Sequence, residues 1–146
     1  MQKLSFEELV ERIVQRDGRY RPAAYDFVRE ALDFTQRKNA PDAKPESERH
    51  VTGQQLLEGI REFALAHLGP MAITVFDTWG ITRCEDFGEI VFNLIEHRVL
   101  RKTEADCRDH FKSIYGFEEA FVHPFLPASK LAQLRREAVA GSSDAV

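Results

Sequence analysis

Four side chains in this 146-residue chain, Cys84, His97, Cys107 and His110, make up a quartet of the types that hold zinc. Thiolate and neutral imidazole are the usual ligands of a structural zinc site. Only Cys107-x-x-His110 has a ligand-like spacing, and the other two do not complete a recognised finger. A chain with five histidines offers such quartets by chance. The simpler reading makes the cysteines small apolar fillers and the two histidines surface residues, so neither a metal nor another cofactor is expected. Cys107 and His110 also form a nominal thiol–imidazole pair, but nucleophilic catalysis needs a third group to orient the base. No such group is identifiable, and no G-x-S-x-G, HExxH, Walker A or G-x-G-x-x-G is present. No catalytic residue is assigned. Tyr20, Arg21, Arg49 and His50 are a further constellation, able to line a pocket. His50 precedes a capped helix start, where an anion can sit; local packing or capping is the blander role for it.

The elements that would position these groups have a distinctive order over residues 73–112: a short helix, a glycine turn, a second helix and a basic segment. That order resembles a winged helix-turn-helix, a likeness of element order alone. A recognition helix needs Arg, Lys, Asn or Gln near its start to meet bases and phosphates. Here the stretch Cys84–His97 carries Glu85, Asp86, Glu89 and Glu96 and no Lys or Arg. Carboxylates repel phosphate at close range, and the whole chain has net charge −4. Duplex DNA is therefore argued against as a partner. The segment that follows does carry Arg98, Arg101, Lys102 and Arg108, and a wing-first contact with an anion or nucleic acid is the alternative use of it.

Phe92 stands out on the same helix. At ~100° per residue it lies away from the stripe of Phe87, Ile90, Val91, Leu94 and Ile95, and its neighbours are Glu85, Glu89 and Glu96. An aromatic among carboxylates suits a protein-partner anchor. The competing reading has the N-terminal helices of the same chain cover it.

Periodicity and capping signals supply the rest of the framework. Leu4-Ser5-Phe6-Glu7-Glu8-Leu9 is a helix start with Ser5 as cap, Glu8 to close the box and Leu4 to staple onto Leu9. Phe6, Leu9, Val10, Ile13 and Val14 follow at helical spacing. Asp17-Gly18 ends that helix, and Pro22 opens a second with a broad face of Ala24, Phe27, Val28, Ala31, Leu32 and Phe34. The polar, proline-bearing residues 39–50 read as a linker. Thr52 and Gln55 form the next capping box, with Val51 as staple. Leu56, Leu57, Ile60, Phe63, Ala64, His67 and Leu68 make its stripe. Gly69-Pro70 then starts a short helix whose expected buried side is Met71, Ala72, Val75, Phe76 and Trp79. Gly80 ends it, and Thr82 with Glu85 forms a third expected capping box. Residues 98–117 suit a β-hairpin, with a helix from Thr103 as the competing assignment. Residues 121–127 read as extended and apolar, and residues 128–139 as a weak helix before a frayed tail.

Hydrophobic residues make up 43% of the chain, enough for a packed core at this size. Two cysteines do not make a disulfide framework and point to a reducing compartment. The opening residues lack the apolar run of a signal peptide, and no stretch approaches the ~18 to 20 apolar residues that span a bilayer. A soluble cytoplasmic protein with no membrane association is expected.

Several motifs lie in a fixed order: His50-Val51-Thr52-Gly53-Gln54-Gln55-Leu56-Leu57, Gly69-Pro70-Met71-Ala72, Trp79-Gly80-Ile81, and Asp86-Phe87-Gly88-Glu89-Ile90-Val91-Phe92-Asn93-Leu94. In these the chain resembles a family of short uncharacterised bacterial proteins from planctomycete and verrucomicrobial genomes. The likeness spans residues 20–121 and implies no activity.

The expected fold is mainly α in a single domain. A helical core over 51–127, winged-helix-like with about three helices and the hairpin, carries an N-terminal helical pair (4–38) and a C-terminal helix and tail (128–146). The expected function is a small non-catalytic protein-interaction or regulatory module whose acidic, Phe-bearing helix face, Glu85, Glu89, Phe92 and Glu96, meets a protein partner. A second copy of the chain is a further candidate partner. The alternatives are a nucleic-acid-associated regulator using the basic wing, and an enzyme or small-molecule binder near His50. Because residues 39–49 combine two prolines with few apolar side chains, limited trypsin digestion should cut at Lys44 or Arg49 before any site within 54–97. First cleavage at Arg61 would contradict the core assignment.

Overall fold

Ser5 sits in extended backbone and its hydroxyl accepts from the Glu8 N–H at 3.2 Å, which starts α1 (Phe6–Arg16) where the capping signal places it. The computed structural model describes residues 4–39, 51–97, 111 and 114–143. α1 buries Val10 and Ile13 and keeps its other residues at or near the surface. The chain leaves it at Asp17, whose N–H still bonds the Ile13 carbonyl.

α2 (Pro22–Asn39) opens on a proline, which has no N–H to leave unpaired in the first turn. It is the central helix and packs against α1, α3 (Gly53–His67), α4 (Ala72–Trp79) and α5 (Cys84–Glu96). Ala24, Phe27, Val28 and Ala31 are buried as the apolar pattern implies. Tyr25 and Thr35 are buried with them, whereas Leu32 and Phe34 are only half-buried. Thr35 is tolerated because its hydroxyl donates to the Ala31 carbonyl at 2.7 Å. Opposite it on α3 is Gly59, where an added Cβ would lie 1.8 Å from the Thr35 hydroxyl oxygen. The two helices approach this closely only because Gly59 has no side chain.

α3 begins with the expected capping box. The Thr52 hydroxyl accepts from the Gln55 N–H at 3.1 Å, and the Gln55 side-chain oxygen accepts from the Thr52 N–H at 2.9 Å. Leu56, Leu57, Ile60 and Ala64 form its buried stripe. A 3₁₀ turn (Gly69–Met71) leads into α4. Met71 belongs to that turn, not to the first turn of α4, so it is 58% exposed instead of buried. Ala72 and Phe76 carry the buried face. Phe76 is the hub of the core, its ring 5.1–6.0 Å from those of Phe27, Trp79, Phe87, Phe117 and Phe121.

α5 buries Cys84, Phe87, Gly88, Ile90, Val91 and Leu94; Ile95 is half-buried. At Gly88 a Cβ would lie 2.7 Å from the Phe111 side chain, so that ring lies directly on the helix. The mainly α expectation holds, but no strand occurs among the described residues. Of the expected returning strand, Phe111 lies in a 3₁₀ turn, 114–115 form a bend and Phe117 starts α6 (Phe117–Phe121). Residues 98–110, where the rest of the hairpin was expected, lie outside the described residues, as do 40–50 of the expected linker. Helix wins at 117–121 for local reasons. Phe117, Ala120 and Phe121 are spaced for one helical face, and Glu118 and Glu119 favour the positive end of the helix dipole. Residues 121–127 are likewise not extended. Pro124 sits in the first turn of a 3₁₀ helix (His123–Phe125), where its missing N–H costs nothing. α7 (Ala128–Ser143) follows and runs four residues past the expected end of the weak helix.

Gly80, between α4 and α5, has φ +90°, and a Cβ there would lie 2.3 Å from the Arg19 carbonyl oxygen. Strain and collision act together, so Gly80→Ala should destabilise the fold by at least ~2 kcal/mol. A thermal melt followed by circular dichroism checks this; an unchanged midpoint would show that the α1–α2 loop does not lie on this turn.

Candidate functional site

The acidic face of α5 meets the loop between α1 and α2, and a polar seam runs along that junction. It begins where α5 begins. One Asp86 carboxylate oxygen accepts from the Thr82 N–H at 2.9 Å, the Arg83 N–H at 3.2 Å and the Thr82 hydroxyl at 3.3 Å. This corrects the expected Thr82–Glu85 box: the cap is Arg83, one residue after Thr82, so Asp86 holds the third position and reaches back. The other Asp86 oxygen accepts from the Tyr20 hydroxyl at 2.7 Å. Burial and the adjoining carboxylate raise the Tyr20 phenol well above its ordinary range.

One turn along, Asp17 and Arg19 form a bidentate pair, with Nε and Nη2 donating at 2.9 and 2.7 Å. Arg19 Nη2 also donates to Glu89 at 3.3 Å. Asn93 donates to Asp17 at 3.1 Å and to the Tyr25 hydroxyl oxygen at 3.0 Å. The Arg19 guanidinium, helped by Asn93 and the Arg19 N–H, holds the Asp17 carboxyl far below the usual carboxylate range. At the far end Arg16 pairs with Glu96 at 2.9 Å.

The residues assigned from the sequence are thus placed as follows. Glu85, Glu89, Phe92 and Glu96 share one face of α5, at spacings of three and four. Glu89 and Glu96 meet Arg19 and Arg16 of the same chain, and Glu85 lies 3.8 Å from Arg83. Phe92 is half-buried, and its ring stands edge-on to Phe111 at 6.1 Å. That ring contact comes from the segment after α5, and the N-terminal pair reaches the neighbouring Glu89, Asn93 and Glu96. Arg98, Arg101, Lys102 and Arg108 lie outside the described residues, as do Cys107, His110, Arg49 and His50.

The zinc quartet fails on its described half. Cys84 and His97 stand at opposite ends of α5, about 20 Å apart at 1.5 Å per residue, too far to share an ion. Cys84 is buried and its thiol donates to the Tyr115 carbonyl at 3.4 Å. Burial pushes its pKa up, which suppresses the reactive thiolate. Among the described residues no group of three His, Cys, Asp or Glu side chains is placed to hold a metal. No helix among them is long and apolar enough to cross a membrane. Tyr20 and Arg21 do line an open groove of about 360 Å³ with Asp77, Thr78, Trp79 and Gly80. Its floor is tied together by the Arg21 N–H bond to the Trp79 carbonyl at 3.2 Å.

Sequence reasoning missed Asp17, Arg19, Asp86 and Asn93 as a connected set. The bonds that join them across elements reach 66 to 76 residues along the chain, beyond capping or periodicity rules. Asn93 alone offered a signal, as an amide beside an otherwise apolar helix stripe.

The depressed Asp17 pKa sets a pH dependence. A carboxylate whose folded pKa lies below its ordinary 3.8 stabilises the fold fully above that value and loses the contribution as the pH falls below it toward the folded pKa. Arg19 is half exposed, so water screens the pair and its worth is about 1 kcal/mol. Asp17→Asn should therefore lower stability at pH 7 by that amount, with the gap to the unsubstituted chain closing in urea titrations run below pH 3.8. A gap that is constant from pH 7 to 2 would contradict the assignment.

No family model, curated protein or solved structure matches the chain.

Proposed function

We propose that this chain is a non-catalytic protein-interaction module that uses the Phe92-bearing face of α5. The observation that carries the reading is geometric: Glu85, Glu89, Phe92 and Glu96 share one face of α5, with the half-buried Phe92 ring between carboxylates. Behind that face Asp17 and Arg19 form a bidentate pair, Asn93 bonds Asp17 and Tyr25, and Tyr20 bonds Asp86. These groups act as fixed hydrogen-bonding parts of a scaffold.

The chemistry of the face suggests the partner. Glu89 and Glu96 already accept guanidinium groups from Arg19 and Arg16. Glu85 and half-buried Phe92 continue the same face. An aromatic flanked by carboxylates suits a partner segment that carries basic residues around an apolar side chain.

The test is photo-crosslinking in the native cell with p-benzoylphenylalanine at position 92. A discrete adduct with one other protein, diminished by Glu85→Lys, is the expected result. Adducts confined to the chain itself would overturn the proposal.

A further inference from the structure

The groove of about 360 Å³ between the α1–α2 loop and the end of α4 has no part in the seam on α5. Several polar side chains that line it are committed elsewhere. Arg19 is held by Asp17 and Glu89, Tyr20 donates to Asp86, and the Thr78 hydroxyl donates to the Thr74 carbonyl at 2.9 Å. Arg21 and Asp77 line the same groove and are both exposed. Among the described residues neither is in an ion pair, with the other or with any third group. Trp79 completes the lining half-buried, and its indole N–H meets no acceptor among the described residues. One cavity thus presents a guanidinium, a carboxylate and a partly open aromatic ring.

We infer that this groove binds a free amino acid with an apolar side chain. The guanidinium of Arg21 offers parallel N–H donors that match a ligand carboxylate. Asp77 receives the ligand ammonium, and the apolar side chain lies on the open part of the Trp79 ring. The two uncommitted charges set the selection. A simple anion meets the Asp77 carboxylate, a simple amine meets Arg21, and only a zwitterion satisfies both. The size agrees, because about 360 Å³ is near the small end of the ~300–1,000 Å³ range of small-molecule sites. The walls are fixed in advance: the Arg21 N–H bonds the Trp79 carbonyl at 3.2 Å, and Gly80 turns the chain directly after it. The groove lies apart from Phe92, so neither proposal depends on the other.

The chain has one tryptophan, so its fluorescence reports on this groove directly. Titrating L-phenylalanine into the full chain should give a saturable change. Phenethylamine, which lacks the carboxylate, and phenylpropionate, which lacks the amine, should each bind about tenfold more weakly or worse, having lost one charge-assisted contact. Arg21→Ala should weaken phenylalanine and phenylpropionate and spare phenethylamine. Asp77→Asn should weaken phenylalanine and phenethylamine and spare phenylpropionate. Both side chains are exposed, so circular dichroism should show the helix content of the unsubstituted chain in each variant. A fluorescence signal that does not saturate with phenylalanine, analogues that bind as well as it does, or variants that bind as the unsubstituted chain does would overturn the inference.

Discussion

The structure depends on one close approach, the α1–α2 loop lying on the turn between α4 and α5. At Gly80 the turn takes a left-handed backbone conformation and leaves space for the Arg19 carbonyl, which a side chain would fill. The Arg21 N–H bonds the Trp79 carbonyl across the same junction. Tyr20 then reaches Asp86, the residue that starts α5. A single carboxylate thereby fixes a helix start and a tertiary contact, so local folding of α5 and docking of the N-terminal pair favour one another.

Two consequences spread from that junction. On the inner side, α2 is set beside α4, and Phe27 joins the ring cluster around Phe76. Offset and edge-on ring pairs of this kind add about 0.5–1.5 kcal/mol each beyond their buried area. On the outer side, Arg16 and Arg19 are delivered to α5, where Glu96 and Glu89 receive them. The acidic character of α5 thus has a structural use within the chain. The exposed pair Arg16–Glu96 contributes little by itself. Asp17, shared by Arg19 and Asn93, holds the seam more firmly because its bonds are charge-assisted and partly shielded.

Much of the helical framework was legible because its signals are local. Ser5 and the Thr52–Gln55 box act within one turn, Pro22 and Gly80 act through their own backbone, and the stripes of α2, α3 and α5 follow a fixed period. What was misread depends on an offset or on distance. Asp86 replaces Glu85 because the capping residue is Arg83, one position after Thr82. Met71 is exposed because a 3₁₀ turn intervenes before α4. Phe117, the first residue of α6, was taken for the end of a strand because a five-residue helix holds too few apolar positions to display its period. Tyr25 and Thr35 escaped the core list because each hides its hydroxyl in a bond that sequence cannot show. At the site, Glu85, Glu89, Phe92 and Glu96 were legible as one face, whereas the arginines that meet it were not, since that pairing exists only once the chain has folded.

The central claim, that the docked loop and the start of α5 form one energetic unit, is tested most directly by a double-mutant cycle between Tyr20 and Asp86. Stability to urea would be measured for Tyr20→Phe, Asp86→Ala and the double variant, so that loss of the helix cap cancels within the cycle. The account predicts a coupling of about 1 kcal/mol or more, since the phenol is buried and its bond is made to a charged acceptor. Strictly additive effects would contradict it.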